Sequence, residues 1–335
     1  MAAPGALIVG ISGPRLTRAE ERFLTRADPW GFILFARNIE NADQVRWLTA
    51  ALRSVVGRAA PVLIDQEGGR VARLRPPLAR DWPPPLDQMA QTCGSLRAMY
   101  LRHALIGAEL RALGVDVNCA PVADIAGATT HPFLRNRCLG ETADVVAAAA
   151  RAAADGLLAA GVLPVIKHLP GHGRARSDSH RDLPRVTATA DALRRTDFIP
   201  FQRLADLPLG MTAHVLFDAI DPVNPATTSP EIIAMIRREI GFEGLLMSDD
   251  ISMNALAGPV AARGAAALAA GCDLVLHCNG DLSEMAALAE RAGPMSPAAM
   301  TRAKRALALR PRTPPDLDPG ALAAEFDRLM AVAHG

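Results

Sequence analysis

Short apolar runs alternate with longer helical segments along this chain, and the alternation repeats about eight times. Apolar runs of four to six residues, each followed by a helix, are typical of βαβ units with a buried parallel sheet. The predicted strands are Ala6–Ile11, Gly31–Phe35, Val62–Asp65, Val115–Cys119, Val162–Lys167, Leu209–Ala213, Gly244–Ser248 and Leu274–His277.

The segments between these strands carry signals for helix starts. Thr17 with Glu20 forms a capping box, and Ser229 is an N-cap followed by Pro230 at the first helical position. A long helix rich in Ala, Val and Leu is predicted at Thr142–Ala160.

Eight strand–helix units fit either an open doubly wound sheet or a closed barrel. The number of repeats and the length of 335 residues favour the α/β class and a (β/α)8 TIM barrel. No G-x-G-x-x-G follows the first strand, which weakens a dinucleotide-binding interpretation. We assign residues 1–295 to a single TIM-barrel catalytic domain and residues 296–335 to a C-terminal helical extension packed on the barrel.

The charge balance argues against several classes of partner. The chain has 36 Lys and Arg against 35 Asp and Glu, without the basic excess of a nucleic-acid or membrane-surface binder. The N-terminus does not resemble a signal peptide, and Gly and Pro interrupt the longest apolar runs. The five cysteines form no C-x-x-C pair, so free thiols are expected. We expect a cytoplasmic monomer with no nucleic-acid or membrane partner.

Ionisable residues gather where the predicted strands end. Asp65 ends the third strand, while Lys167 and His168 end the fifth. The seventh is followed by Asp249, and Asp124 lies a little beyond the fourth. Active sites of TIM barrels lie at the carboxyl ends of the strands. Taken singly, each Asp could be a helix N-cap and His168 a structural histidine, but their common position favours a functional site.

The segment after the fifth strand, Gly171–Arg181, is polar, rich in glycine and longer than most βα loops. Asp178 and His180 are two residues apart in it, so in an extended segment their side chains point the same way. A carboxylate beside an imidazole fixes its tautomer and stabilises its charged form, which suits a general acid near neutral pH. A solvated surface loop is the alternative.

Three longer motifs in this sequence together resemble one known family. They are D-Q-E-G-G-R-V-A-R at 65–73, K-H-L-P-G-H-G at 167–173 followed by D-S-H at 178–180, and S-D-D-I-S-M at 248–253. Their order and their places at strand ends resemble glycoside hydrolase family 3, and within it the single-domain bacterial β-N-acetylhexosaminidases of peptidoglycan recycling. The resemblance spans about residues 5–290. The chain departs from the family pattern at Leu169, usually Phe, and after Arg137, where Cys138 and Leu139 replace Ser and Phe.

The resemblance implies a role for each matched residue. Asp249 would be the nucleophile, and Asp178 with His180 the acid/base dyad. The implied sugar-binding residues are Asp65, Arg73, Arg137, Lys167 and His168. Asp65, Lys167 and His168 would bind sugar hydroxyls, and Arg73 and Arg137 would line the mouth of the site.

The activity that the resemblance implies is that of a retaining exo-β-N-acetylglucosaminidase. Such an enzyme removes terminal N-acetylglucosamine from muropeptide fragments through a covalent intermediate, and no metal or cofactor is expected. Three alternatives stay open. They are a metal-dependent amidohydrolase barrel, a sugar-binding protein without catalysis, and a family member that uses phosphate as the acceptor. The first lacks the usual H-x-H after the first strand.

Overall fold

The structure, a computed structural model, describes residues 3–175, 183–311, 313 and 315–332. Eight parallel strands close into a barrel, because the first strand pairs with both the second and the last. The barrel strands are β1 Gly5–Gly10, β2 Pro29–Leu34, β3 Val62–Ile64, β4 Val117–Asn118, β5 Leu163–Leu169, β6 Leu209–Thr212, β7 Leu245–Asp250 and β8 Leu274–His277. The predicted (β/α)8 barrel is confirmed, and each predicted strand overlaps one barrel strand.

Helices follow the strands and surround the barrel. They are α1 Arg18–Ala27, α2 Ala42–Val55, α3 Pro85–Gln91, α4 Leu96–Ala112, α5 Pro132–Arg135, α6 Ala143–Ala159, α7 Ala190–Arg195, α8 Ile199–Arg203, α9 Pro230–Arg238, α10 Val260–Ala270, α11 Leu282–Ala292, α12 Pro297–Ala308 and α13 Pro319–Val332. The capping signals act as predicted: Thr17 and Glu20 form the capping box of α1, and Ser229 caps α9. No helix of the described residues combines the length and apolarity needed to cross a membrane.

Two strands differ from their predicted bounds in ways that affect the site. Strand β4 has two residues instead of five, and the carboxylate of Asp116 accepts the Val62 N–H, which would otherwise belong to the strand ladder. Strand β5 continues to Leu169, so Lys167 and His168 lie inside it. Its register with β6 is irregular between Lys167 and Leu169. Such a bulge re-aims side chains that would otherwise alternate between the two faces of the sheet.

The barrel interior is filled with apolar side chains such as Ile8 and Leu163. Helix α12 closes the amino-terminal end of this interior, because its Ala299 and Ala303 belong to the same buried cluster. As far as the described residues show, the barrel axis is therefore open to a small molecule only from the carboxyl-terminal end.

Ion pairs fix the C-terminal segment to the barrel. Arg302 Nη1 lies 2.9 Å from Asp273, which precedes β8, and Arg310 Nη1 lies 2.6 Å from Asp116, which precedes β4. Helix α13 packs on α4, where Phe326 is buried. The division at residue 295 stays a prediction.

Removing residues 296–335 is expected to destabilise the barrel severely. The truncation exposes the apolar side chains at the amino-terminal end of the barrel and leaves Asp273 and Asp116 without Arg302 and Arg310. Together these losses should lower the free energy of unfolding by several kcal/mol. A loss of that size lowers the thermal unfolding midpoint by roughly 10 °C or more. Ending the chain at residue 313 is the control, because it removes α13 but keeps α12 in place. A barrel of residues 1–295 that unfolds at the temperature of the full chain would contradict this role of α12.

Candidate active site

One pocket at the carboxyl-terminal end of the barrel collects six of the eight predicted site residues. They are Asp65, Arg73, Arg137, Lys167, His168 and Asp249. The other two, Asp178 and His180, lie outside the described residues. The pocket floor is apolar and continuous with the barrel interior, through Ile33, Met211 and Leu276. A ligand that enters from above is therefore stopped by packed side chains.

Asp65, directly after β3, binds two cations. Lys167 Nζ donates to its Oδ1 at 2.9 Å, and Arg73 Nη2 donates to its Oδ2 at 2.9 Å. Arg73 reaches Asp65 because Gln66–Gly68 and Val71–Ala72 form a short antiparallel hairpin that reverses the chain. Burial opposes ionisation of Asp65, but the charges of Lys167 and Arg73 outweigh it and hold its pKa well below the usual range. Asp65 is therefore a carboxylate, with lone pairs left to accept sugar hydroxyls.

Glu67 is a second buried carboxylate, 2% exposed, beside Asp65. Arg137 Nε and Nη2 both donate to it at 2.9 Å, and Lys167 Nζ lies 2.7 Å from its Oε1. Burial raises the pKa of Glu67, but Arg137 and Lys167 together lower it to about 2. Arg137 was expected at the mouth of the site; its side chain, 9% exposed, lies in the pocket wall because Glu67 holds it there.

His168 is held by Asp124, a buried carboxylate in the segment after β4. His168 Nδ1 lies 2.7 Å from Asp124 Oδ2, and the backbone N–H of His172 donates to Oδ1 at 2.6 Å. Burial would raise the pKa of Asp124, but His168 and His172 lower it. An ionised Asp124 accepts the Nδ1 proton, so Nε2 is the ring nitrogen left for a ligand.

The neighbouring residues Asp249 and Asp250 at the end of β7 differ in how their carboxylates are used. Asp250 accepts from Ser252 N, Ser252 Oγ and Cys278 N, so both of its oxygens are engaged. Asp249 accepts only the Asp250 N–H, at Oδ1, within the described residues. Burial raises the pKa of Asp249, but His214, His168 and the Asp250 N–H bring it below its ordinary value. Asp249 is thus ionised, with one oxygen open to the pocket.

His214 is fully buried and has a structural environment. Its Nδ1 lies 2.7 Å from Thr227 Oγ1 and its Nε2 lies 2.9 Å from the Asp250 carbonyl. Both ring nitrogens are occupied, so His214 supports the end of β7 and does not face a ligand. Within the described ranges, no group of three His, Cys, Asp or Glu side chains is placed to hold a metal ion.

At the pocket, arginine guanidinium groups lie over the rings of two phenylalanines. The guanidinium carbons of Arg37 and Arg73 lie 4.9 and 5.1 Å from the centre of the Phe35 ring. The guanidinium carbon of Arg70 lies 3.7 Å from the centre of Phe133. Planar guanidinium and aromatic groups present flat, amphipathic surfaces, which suit a sugar ring or its leaving group.

Glu67 and Asp124 support Lys167, Arg137 and His168 in the structure, although neither is among the catalytic or sugar-binding residues predicted from the sequence. A signal for Glu67 was present, because it stands two residues after Asp65 in an extended segment and so points to the same side. The signal for Asp124 was its position shortly after the fourth predicted strand, at the rim where the other ionisable residues gather. Its pairing with His168 depends on β4 lying beside β5 in the folded barrel.

Comparisons with known proteins identify the family of this chain. The family model of the glycosyl hydrolase family 3 N-terminal domain matches residues 7–307. A β-hexosaminidase of Alkalilimnicola ehrlichii is 41% identical over 82% of this chain and 81% of its own length. A β-hexosaminidase of Chromobacterium violaceum is 36% identical over 90% of this chain and 86% of its own.

Solved structures of the same family resemble this fold over nearly the whole chain. NagZ from Neisseria gonorrhoeae, in complex with N-trifluoroacetyl-D-glucosamine, superposes with a TM-score of 0.84 at 29% identity, over 99% of this chain and 98% of that one. A family 3 β-N-acetylglucosaminidase from Paenibacillus has a TM-score of 0.86 at 29% identity, over 98% of this chain and 66% of that one. The predicted family and enzyme class are confirmed: the chain belongs to glycosyl hydrolase family 3.

Proposed function

We propose that this chain is a retaining exo-β-N-acetylglucosaminidase that releases terminal N-acetylglucosamine from peptidoglycan fragments. The observation that carries the mechanism is the ionised Asp249, with one oxygen open, in the same pocket as Asp65, Lys167 and His168. The β-hexosaminidase and β-N-acetylglucosaminidase relatives support N-acetylglucosamine as the sugar that is released. The packed side chains at the base of the pocket support cleavage at the end of a sugar chain. A pocket that is closed at its base holds one terminal sugar, and the rest of the substrate stays at the mouth of the pocket.

The reaction has two steps. In the first, an oxygen of Asp249 bonds to the anomeric carbon while the bond to the leaving oxygen breaks, and His180, charged and paired with Asp178, supplies that oxygen with a proton. In the second, neutral His180 takes a proton from water, which attacks the anomeric carbon and frees Asp249. Asp65, Lys167 and His168 hold the sugar hydroxyls, so that the anomeric carbon faces Asp249 throughout.

His180→Ala is expected to slow release of a poor leaving group far more than release of a good one. A phenyl leaving group needs protonation, so its kcat/KM should fall on the order of 10²-fold, while 2,4-dinitrophenyl β-N-acetylglucosaminide should change less than about tenfold. The measurement is kcat/KM because it covers only the steps up to departure of the leaving group. Equal losses on both substrates would remove His180 from the acid role.

Two assays on the unaltered enzyme test the substrate and the acceptor. Hydrolysis of an aryl β-N-acetylglucosaminide should exceed that of the matching β-glucoside, and N-acetylglucosamine should be released from muropeptides that carry it at the non-reducing end. A rate that rises with added phosphate, with the sugar 1-phosphate as product, would make the protein a phosphorylase.

We also propose that it acts as a monomer in the cytoplasm, which sedimentation and cell fractionation would test.

A further inference from the structure

Lys167 contacts two carboxylates at the wall of the pocket. Its Nζ lies 2.9 Å from Asp65 Oδ1 and 2.7 Å from Glu67 Oε1. The side chain is 2% exposed and lines the pocket. Within the described part of the chain, Nζ donates a hydrogen bond to Asp65 and pairs by charge with Glu67, which leaves N–H donors for a ligand. Two carboxylates at fixed positions therefore hold the ammonium group at one place in the pocket.

Arg137 is held in the same way. Glu67 takes its Nε and Nη2 donors side by side, a bidentate arrangement that fixes the plane of the guanidinium. Arg137 also lines the pocket, with Nη1 on the side away from this pair. Glu67 itself does not line the pocket. It contacts Lys167 and Arg137 from behind, so one buried carboxylate sets the direction of two cations.

The backbone that carries Glu67 is itself fixed. Arg102, fully buried, donates from Nη2 to the Glu67 carbonyl at 2.6 Å and to the Pro83 carbonyl at 2.7 Å. Gly68 follows with a φ of +100°, and a Cβ there would lie 1.9 Å from Arg102 Nη2. Glycine is required at this position because any side chain would displace Arg102. The carboxylate therefore stands on a rigid support.

We propose that Glu67 is a positioning residue that aims the free N–H donors of Lys167 and Arg137 at the sugar without touching the sugar itself. Without its charge, the three cations of this wall, Arg73, Arg137 and Lys167, would share Asp65 alone. Lys167 would then be drawn toward Asp65, and Arg137 would lose its fixed plane. The inference deepens the proposed function and rests on it for the identity of the sugar.

The test is Glu67→Gln, measured by kinetics and by calorimetric binding of N-acetylglucosamine. The expected result is a KM and a dissociation constant raised about 10- to 100-fold, with kcat changed less than about threefold, because the lost contacts bind substrate and transition state alike. The same substitution made in a Lys167→Met background should have a much smaller effect, since one of its two targets is already gone.

Asp273→Asn is the matched control. Asp273 is also a buried carboxylate between two arginines, Arg237 at 2.7 Å and Arg302 at 2.9 Å, but at the opposite end of the barrel. It should lower the unfolding midpoint and leave KM unchanged. If Glu67→Gln behaves in the same way, with stability lost and KM intact, Glu67 is structural only and the proposal is overturned.

A second variant covers a failure of Glu67→Gln to fold. Glu67→Asp keeps the charge but withdraws it by one methylene, so KM should rise with the fold intact. A wild-type KM in Glu67→Asp would overturn the proposal.

The binding measurement separates this inference from the proposed function. Wild-type protein that binds N-acetylglucosamine but hydrolyses no N-acetylglucosaminide would end the proposed function, and the effect of Glu67→Gln on binding would still decide this one.

Discussion

Replacing Asp249 with alanine is expected to lower kcat on every N-acetylglucosaminide by at least about 10⁴-fold, the scale of loss when a covalent nucleophile is removed. The carboxylate lies at the end of β7, is ionised, and has one oxygen without a protein partner within the described residues. Among the described acidic residues of the pocket, no other carboxylate combines these properties, because Asp65 binds two cations and Asp250 is engaged by Ser252 and Cys278. The measurement is steady-state hydrolysis of an aryl N-acetylglucosaminide.

Added azide provides a positive result for the same variant. Azide can enter the space left by the missing carboxylate and attack the anomeric carbon, so Asp249→Ala should form the α-glycosyl azide. Asp250→Asn is the control, since it changes the adjacent aspartate, and it should keep activity within about tenfold of wild type. A loss in Asp250→Asn as large as that in Asp249→Ala, or azide rescue in the former alone, would move the nucleophile to Asp250.

Asp65→Asn is expected to lower kcat/KM on the order of 10³-fold. The substitution replaces one of the two acceptor oxygens with an NH2 donor and removes the charge that Lys167 and Arg73 share. Breaking a buried ion pair on one side costs about 3–5 kcal/mol because the remaining charge is left uncompensated. The effect should appear in KM and in kcat together, because Asp65 itself holds the sugar hydroxyls and its loss misplaces the anomeric carbon relative to Asp249.

The control for Asp65→Asn is Asp116→Asn. Asp116 also stands next to a barrel strand and binds two arginines, Arg310 at 2.6 Å and Arg53 at 3.3 Å, but at the closed end. It should reduce the unfolding midpoint and leave kcat/KM near the wild-type value. Equal losses of activity in the two variants would mean that Asp65 acts through stability and not through the sugar.

Much of the barrel could be predicted from the sequence because its determinants are local. A parallel strand buried on both faces needs a short apolar run, and a helix start needs a cap such as Thr17 or Ser229 within one turn. Bounds were less accurate where a side chain replaces the backbone ladder, as Asp116 does at β4. No local pattern records that replacement.

The sequence also indicated which residues gather at the site, since the carboxyl ends of all barrel strands meet at one rim. Asp65, Lys167 and Asp249 follow from that rule alone. It does not say which of two adjacent aspartates has a free oxygen. That depends on Ser252 and Cys278, and Cys278 comes from the segment after the next barrel strand.

By itself, then, the sequence determined the number and order of the strands, the open end of the barrel and the residue types of the site, because each depends on periodicity or on position along a strand. Only the tertiary structure decided how those residues are aimed. Lys167 and His168 are consecutive in β5 and would normally face opposite sides, yet both line the pocket where the register with β6 is irregular. Glu67 holds Arg137 across 70 positions of sequence, and Asp124 holds His168 across 44. Contacts of that range exist only once β3, β4 and β5 have paired side by side.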